Sequence, residues 1–356
     1  MAISSLPTHP VRRACRLLAV LVGLGAPAGC GAPGPVDADA VVGESEAAVV
    51  TSEPADTGPN SRPDEPELAL QPDEPELADT ANVAGQPGVE EIVIDQVVDG
   101  VVVERRALIA VPQTDGGNGD EDDTDTTVPV LVVLHGNGGQ PEGMLRALQP
   151  VIDQNRFITL IPEGLERSWN LGREASTADD VAFVERLLDR IAGVPSDTGK
   201  PTLGRIYAFG YSNGAGLVHQ LIARTDRFHA VAAAASGLTN DLVPPGSVAP
   251  VSVLSLHGTE DQLVPYDGGI GVAGHDFLPV EDSVAVWADR FGCETEPDLT
   301  RTADGNIRLE WGTCDDGHRV VHYGIEGAGH GLPPDLEGGL LDLVIDFFET
   351  AGRLGG

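Results

Sequence analysis

The chain has 356 residues with 45 Gly and 27 Pro but only 8 Phe, 4 Tyr and 3 Trp, so a packed domain and unpackable appendages share one sequence. Against 21 Lys and Arg stand 56 Asp and Glu, a formal charge of -35. Such a surface repels phosphate backbones and anionic lipid, which excludes nucleic acid as a partner and leaves the acidity to report solubility.

Residues 1–30 carry Arg12, Arg13 and Arg16, then the apolar run "LLAVLVGL", then "GAPAGC" ending at Cys30. This predicts an export signal, because the run is shorter than the roughly 20 apolar residues of a membrane span. The small residues before Cys30 resemble the bacterial lipoprotein box, with Pro27 where that box usually has an aliphatic residue. The resemblance implies a lipid anchor to the membrane through Cys30; ordinary cleavage with a free Cys30 is the alternative. The expected location is the cell exterior, secreted or lipid-anchored at the envelope.

Residues 31–88 are rich in Pro, Ala, Glu and Asp with Arg62 as the one base, and "PDEPELA" occurs twice. They bury too little apolar area to offset the entropy of ordering, which predicts a disordered acidic linker. The repeat is a tandem duplication, too polar for a solenoid.

A single catalytic-sized α/β domain is expected over 89–356. "EEIVIDQVVDGVVVERRALIAVP" flanks Asp99-Gly100 with β-branched residues, the signal of a tight antiparallel hairpin. Residues 113–127 form an acidic loop; its Asp cluster lacks the spacing of a Ca2+ loop and reads as a solvated insertion. Then come apolar segments: "VPVLVVLH", "RFITLIP", "GRIYAFG", "HAVAAAAS", "PVSVLSLH" and "HRVVHYGIEG". Being apolar on both faces, they predict strands covered by helices on two sides. Helices are expected at "TADDVAFVERLLDRIAG", capped from Ser176 or Thr177, and at "SNGAGLVHQLIAR", "VEDSVAVWADRFG" and "LEGGLLDLVIDFFE". Alternating strands and helices imply a mostly parallel, doubly wound sheet. Cys293 and Cys314, isolated in an exported chain, predict a disulfide rather than a metal site, with two free buried thiols as the bland alternative.

"GYSNG" places Ser212 directly after a strand and directly before a helix, the setting in which a G-x-S-x-G turn exposes a nucleophile. A serine hydroxyl needs an imidazole to take its proton, and the imidazole needs a carboxylate to fix its tautomer. Downstream, "LHGTED" offers Asp261 beyond a strand end, with Glu260 as rival and Asp267 and Asp282 farther along. "GAGHG" offers His330 after the last strand; His318 and His322 read as sheet residues, and His275 in a loop stays open. Two amides are needed for an oxyanion: Asn213 supplies one, and Asn137 or Gly136 in "LHGNGG" the other. That glycine-rich loop lacks the pattern of a nucleotide site, and the chemistry requires neither cofactor nor metal.

From about Val130 onward these motifs, with "RSWNLG", "DDVAFV", "LHGTEDQLVPYDGG" and the cysteine pair, resemble exported serine esterases of the α/β-hydrolase superfamily, the polyhydroxybutyrate depolymerase and feruloyl esterase group. The resemblance implies that Ser212, Asp261 and His330 form a triad, that His135, Trp169, Asn170 and Tyr211 line the cleft, and that Asp180 is a buried acid tying the scaffold. Core packing for Trp169 and helix capping for Asp179 are the plainer readings. Leu332 stands where the group usually has a tryptophan, and Gly172 to Glu174 and Ala223 stand where it often has cysteines. The substrate class implied is an ester: a polyester, a polysaccharide ester or a small ester. Alternatives are a serine peptidase of the same fold and a non-catalytic surface binding lipoprotein.

Overall fold

Asp99 and Gly100 both adopt positive φ, 50° and 80°, the backbone of a two-residue turn whose twist matches the strands it joins. They link β1 (Val89–Val98) to β2 (Val101–Ala110) as an antiparallel hairpin. A computed structural model describes residues 88–112, 127–192 and 202–354 except 243, 245, 247 and 295. The expected signal, Cys30, the linker up to residue 87 and residues 113–126 of the acidic loop lie outside the described residues.

The hairpin opens a sheet continued by β3 (Thr127–Leu134), β4 (Ile158–Pro162), β5 (Thr202–Tyr211), β6 (Ala230–Ala234) and β7 (Ser252–Gly258). A short separate ribbon, β8 (Gly269–Ile270) with β9 (Asp276–Phe277), precedes β10 (Asp298–Arg301), β11 (Ile307–Trp311) and β12 (Val320–Ile325). The main sheet runs β1-β2-β4-β3-β5-β6-β7-β12-β11-β10. Its centre, β4 to β12, is parallel, while β1, β2, β10 and β11 pair antiparallel at the two edges. Helices roof both faces of the parallel strands, and β4, β6, β7 and β12 are buried along their whole length.

Alternate residues of β3 show the two layers. Val130, Val132 and Leu134 face a core shared with α3 (Asp180–Ala192), α4 (Asn213–Arg224) and α5 (Val280–Arg290). Leu131 and Val133 face the opposite core, closed by α1 (Pro141–Ala147), α2 (Gln149–Ile152) and α6 (Leu340–Leu354). In β6 the run Ala-Val-Ala-Ala-Ala is fully buried, and its small side chains let α4 and α6 approach from either side. Cys293 and Cys314 are joined by a disulfide that ties the segment after α5 to the turn before β12.

Of the capping residues expected for α3, Asp179 takes the role: its Oδ1 accepts the Ala182 amide at 3.2 Å, while Thr177 donates instead to Asp99 at 2.6 Å. The start of α6 differs from expectation. Positive φ at Gly338 and Gly339, 94° and 157°, keeps "LEGG" out of α6, which begins at Leu340. Asp180 is buried in a salt bridge to Arg105 of β2 at 2.7 Å and accepts the Asn170 amide at 2.7 Å, so the hairpin, α3 and the 163–170 loop share one polar anchor.

Candidate active site

Ser212 sits between β5 and α4 with φ 54° and ψ −121°, a conformation that costs a non-glycine residue on the order of 1–3 kcal/mol unless its surroundings enforce it. They do. Its amide donates to Ala234 of β6 at 2.7 Å, and its carbonyl accepts the Ala215 and Gly216 amides at 2.9 and 3.1 Å. The flanking glycines permit the turn: a Cβ at Gly210 would collide with the Gly214 carbonyl, and one at Gly214 with the carbonyls of Leu134 and His135.

His330 Nε2 lies 2.8 Å from Ser212 Oγ, and His330 Nδ1 lies 2.8 Å from Asp261 Oδ2. Facing a carboxylate, Nδ1 must hold the proton, which leaves Nε2 free to accept from the serine. The Asp261 side chain is fully buried, and its other oxygen accepts the Leu263 and Val264 amides at 2.8 and 2.9 Å. Burial works to raise this carboxyl, but the bonds from His257, His330 and Val264 overcome it and hold Asp261 well below the usual carboxylate range. A backbone approach brings the two loops together: Glu260 donates to the Ala328 carbonyl at 2.9 Å, and a Cβ at Gly258 would strike the Ala328 and Gly329 carbonyls. Tyr211 donates through its hydroxyl to the His330 carbonyl at 2.9 Å.

The rival residues go elsewhere. Glu260, Asp267 and Asp282 are exposed. His318 meets Ser252 at 3.1 Å, and His322 is buried between Ser255 at 3.0 Å and the Tyr266 hydroxyl at 2.9 Å. His275 bonds to Glu174 at 2.9 Å.

Asn213 begins α4, so its amide lies at the positive end of the helix dipole beside Ser212. Of the two residues expected to supply the second amide, Gly136 lies against Ser212: a Cβ there would be 3.2 Å from the Tyr211 ring and 3.5 Å from Ser212 Cβ. Asn137 is exposed one residue farther on. Bonds from Gly138 to Arg167 at 2.8 Å and from Gly139 to Gly136 at 3.0 Å fix the loop.

The expected cleft wall needs correction. His135 and Trp169 are 1% and 0% exposed, so neither meets solvent. His135 Nδ1 donates to the Gly136 carbonyl at 2.7 Å, and Nε2 accepts the Gly164 amide at 3.0 Å. Burial lowers its pKa and keeps the ring neutral, as both contacts require. Trp169 donates through Nε1 to the His135 carbonyl at 2.8 Å, so the two brace the loop from behind. Asn170 is likewise a turn former: its amide donates to Asp180, its Nδ2 to Ala178 at 3.0 Å, and its Oδ1 accepts Gly172 at 3.0 Å. Tyr211 alone of the four packs beside His330, ring centres 5.6 Å apart.

Two further residues, His257 and Glu174, had no role expected from sequence, and His275, weighed there as a rival base, pairs with Glu174 instead. His257 Nε2 donates to Val264 at 2.9 Å and lies 3.2 Å from Asp261 Oδ2; its signal was the i, i+4 spacing inside "HGTED". The pairing of Glu174 with His275 had no such signal, the two being 101 residues apart. Among the described residues, no group of three or more His, Cys, Asp or Glu is arranged to hold a metal ion.

A sheet ordered β1-β2-β4-β3-β5-β6-β7-β12, with a serine between β5 and α4, an acid after β7 and a histidine after β12, is the α/β-hydrolase fold. No protein-family model matches the chain. Feruloyl esterase B of Piromyces equi is 27% identical over 220 residues, covering 58% of this chain and 40% of that protein. Feruloyl esterase C of Emericella nidulans is 27% identical over 224 residues, covering 62% and 73%. The chain therefore spans well under two thirds of the first relative's length. Among solved structures, a cold-adapted esterase from an Arctic intertidal metagenomic library aligns with a TM-score of 0.45 at 14% identity, covering 76% of this chain and 96% of that one.

Proposed function

We propose that this chain is an exported serine esterase that hydrolyses carboxylic esters through an acyl-enzyme. The observation that carries the reading is the unbroken hydrogen-bonded line from Ser212 Oγ through His330 to a buried Asp261. Ser212 Oγ attacks the ester carbonyl while His330 Nε2 takes its proton, and Asp261 stabilises the imidazolium that results. The carbonyl oxygen becomes an oxyanion held by the Asn213 amide and that of Gly136 or Asn137. His330 returns the proton to the departing alcohol, then activates the water that releases the acid and restores Ser212. The chain's own groups supply nucleophile, base and charge stabilisation.

Ester rather than amide substrates are supported by relatives that carry the name feruloyl esterase, and a polyester, a polysaccharide ester or a small ester fits the same chemistry. Export, with anchoring at Cys30, rests on residues 1–30. Mass spectrometry of the mature N-terminus should find a lipidated Cys30; an unmodified peptide starting after Cys30 would remove the anchor.

Ser212→Ala should lower the hydrolysis of a short p-nitrophenyl ester by about 10³-fold or more and abolish labelling by a fluorophosphonate probe. Full activity in that variant would overturn the assignment.

A further inference from the structure

Behind the oxyanion residue lies a second carboxylate and imidazole pair. Glu174 Oε1 accepts from His275 Nε2 at 2.9 Å, with side chains only 8% and 4% exposed. The same oxygen accepts from the Asn213 carboxamide Nδ2 at 3.3 Å. Glu174 Oε2 accepts the amides of Leu171 at 2.6 Å and Arg173 at 3.2 Å, so this carboxylate gathers the whole 171–174 turn. Burial opposes its charge, but the bonds from His275 and the turn amides prevail and lower its pKa.

Asn213 is the residue after the nucleophile, and its side chain is held at both ends. Oδ1 accepts the Trp169 amide at 2.7 Å, and Nδ2 donates to the Trp169 carbonyl at 2.9 Å. Two anchors therefore fix this residue: the 168–169 segment, where the Ser168 hydroxyl also donates to Oδ1 at 3.4 Å, and Glu174. Only the second reaches beyond the turn, through His275, to the ribbon of β8 and β9.

That ribbon leads back to the triad acid. Val272 donates to the Leu263 carbonyl at 2.8 Å, and the Leu263 amide is one of the two that hold Asp261. On its other edge Asn240, in the loop after β6, donates to the Asp276 carbonyl at 2.8 Å. His275 is presented inward by positive φ at Ala273 and Gly274, 56° and 73°. Hydrogen bonds thus form a closed circuit from Asp261 through Leu263, the ribbon, His275 and Glu174 to Asn213, next to Ser212. Nothing in the triad chemistry calls for it. A carboxylate and an imidazole withdrawn from water need mutual satisfaction, and here they achieve it by spanning the gap between acid loop and nucleophile loop.

We propose that Glu174 and His275 are positioning residues: their buried hydrogen bond locks the ribbon onto the Asn213 carboxamide and so fixes the direction of the Asn213 amide that receives the oxyanion. The inference rests on the reading of Ser212 as nucleophile. An amide aimed at charge that develops only in the transition state contributes to turnover and little to substrate binding. Losing the lock should therefore lower kcat and leave KM nearly alone.

The experiment measures kcat and KM on a short p-nitrophenyl ester per active site, sites being counted by fluorophosphonate titration so that unfolded protein does not enter the rate. His275→Ala and Glu174→Ala should each lose kcat on the order of 10-fold with KM within about two-fold of wild type, and the double variant should be no worse than either. His275→Gln, whose Nε2 can still donate to Glu174, should recover most of the loss. If His275→Ala does not fold, His275→Asn, too short to reach Glu174, supplies the same contrast with Gln. An active wild type with kcat unchanged in the alanine variants, or with His275→Gln as slow as His275→Ala or Asn, overturns the role of the pair alone. A wild type that neither hydrolyses the ester nor takes the probe overturns the Ser212 reading, and the pair's role with it.

Discussion

Four donors converge on the Asp261 carboxylate: two backbone amides on Oδ1, and His330 and His257 around Oδ2. An amide nitrogen cannot accept, so Asp261→Asn must turn its NH2 group toward either the backbone pair or the two imidazoles. Each choice sets donor against donor and unseats the His330 tautomer. Turnover should fall by about 10⁴-fold with the fold retained, measurable as ester hydrolysis beside an unchanged circular dichroism spectrum. The relay residues were legible in sequence because each lies in a loop just past a strand end, and parallel strands bring such loops to one edge. His135 and Trp169 were misplaced for a complementary reason. A motif shows that a residue adjoins the site but not which way its side chain turns, and for His135 that was decided by the Gly164 amide 29 positions away.

At the level of elements, the elbow is limited by space as much as by chemistry. Gly210→Ala puts a methyl group into the Gly214 carbonyl, backbone against backbone, where no rotamer can relieve it. Destabilisation of about 1–3 kcal/mol is expected from urea unfolding, with overpacking as the cause. Strands β1 to β7 and β12 could be anticipated from apolar runs, whereas β10 and β11 could not. The four residues of β10 are all exposed, and β11 alternates weakly; both exist because β12 offers a free edge to pair with. The cap of α3 was legible only as a choice among Ser176, Thr177 and Asp179, and a distant partner, Asp99, settles part of it by engaging Thr177.

For the molecule as a whole, buried histidines set the response to acid. Burial, reinforced by the nearby His257, pushes His322 from 6.5 down to about 3 and His219 to about 4. In the unfolded chain both protonate near 6.5, so below that pH the unfolded state binds more protons than the native one. Their contribution to stability is complete above pH 6.5 and is lost as pH falls toward 4, at up to about 1.4 kcal/mol per pH unit for each ring. The melting temperature should drop between pH 7 and pH 5, and His322→Gln should flatten that slope whatever its own starting value. A variant with the wild-type slope would assign the acid sensitivity elsewhere.

The relay joins residues 118 and 69 positions apart in the chain, drawn from loops after β5, β7 and β12. A ribosome working from N- to C-terminus therefore completes Ser212 and its strained turn long before the histidine that would arm it has been made. On the proposed function the serine is born unarmed, and it stays so until β12, paired to β7 deep in the sheet order, has found its place. Reactivity toward a fluorophosphonate would then report the finished topology of the parallel sheet, a single-atom readout of whether the last central strand has docked.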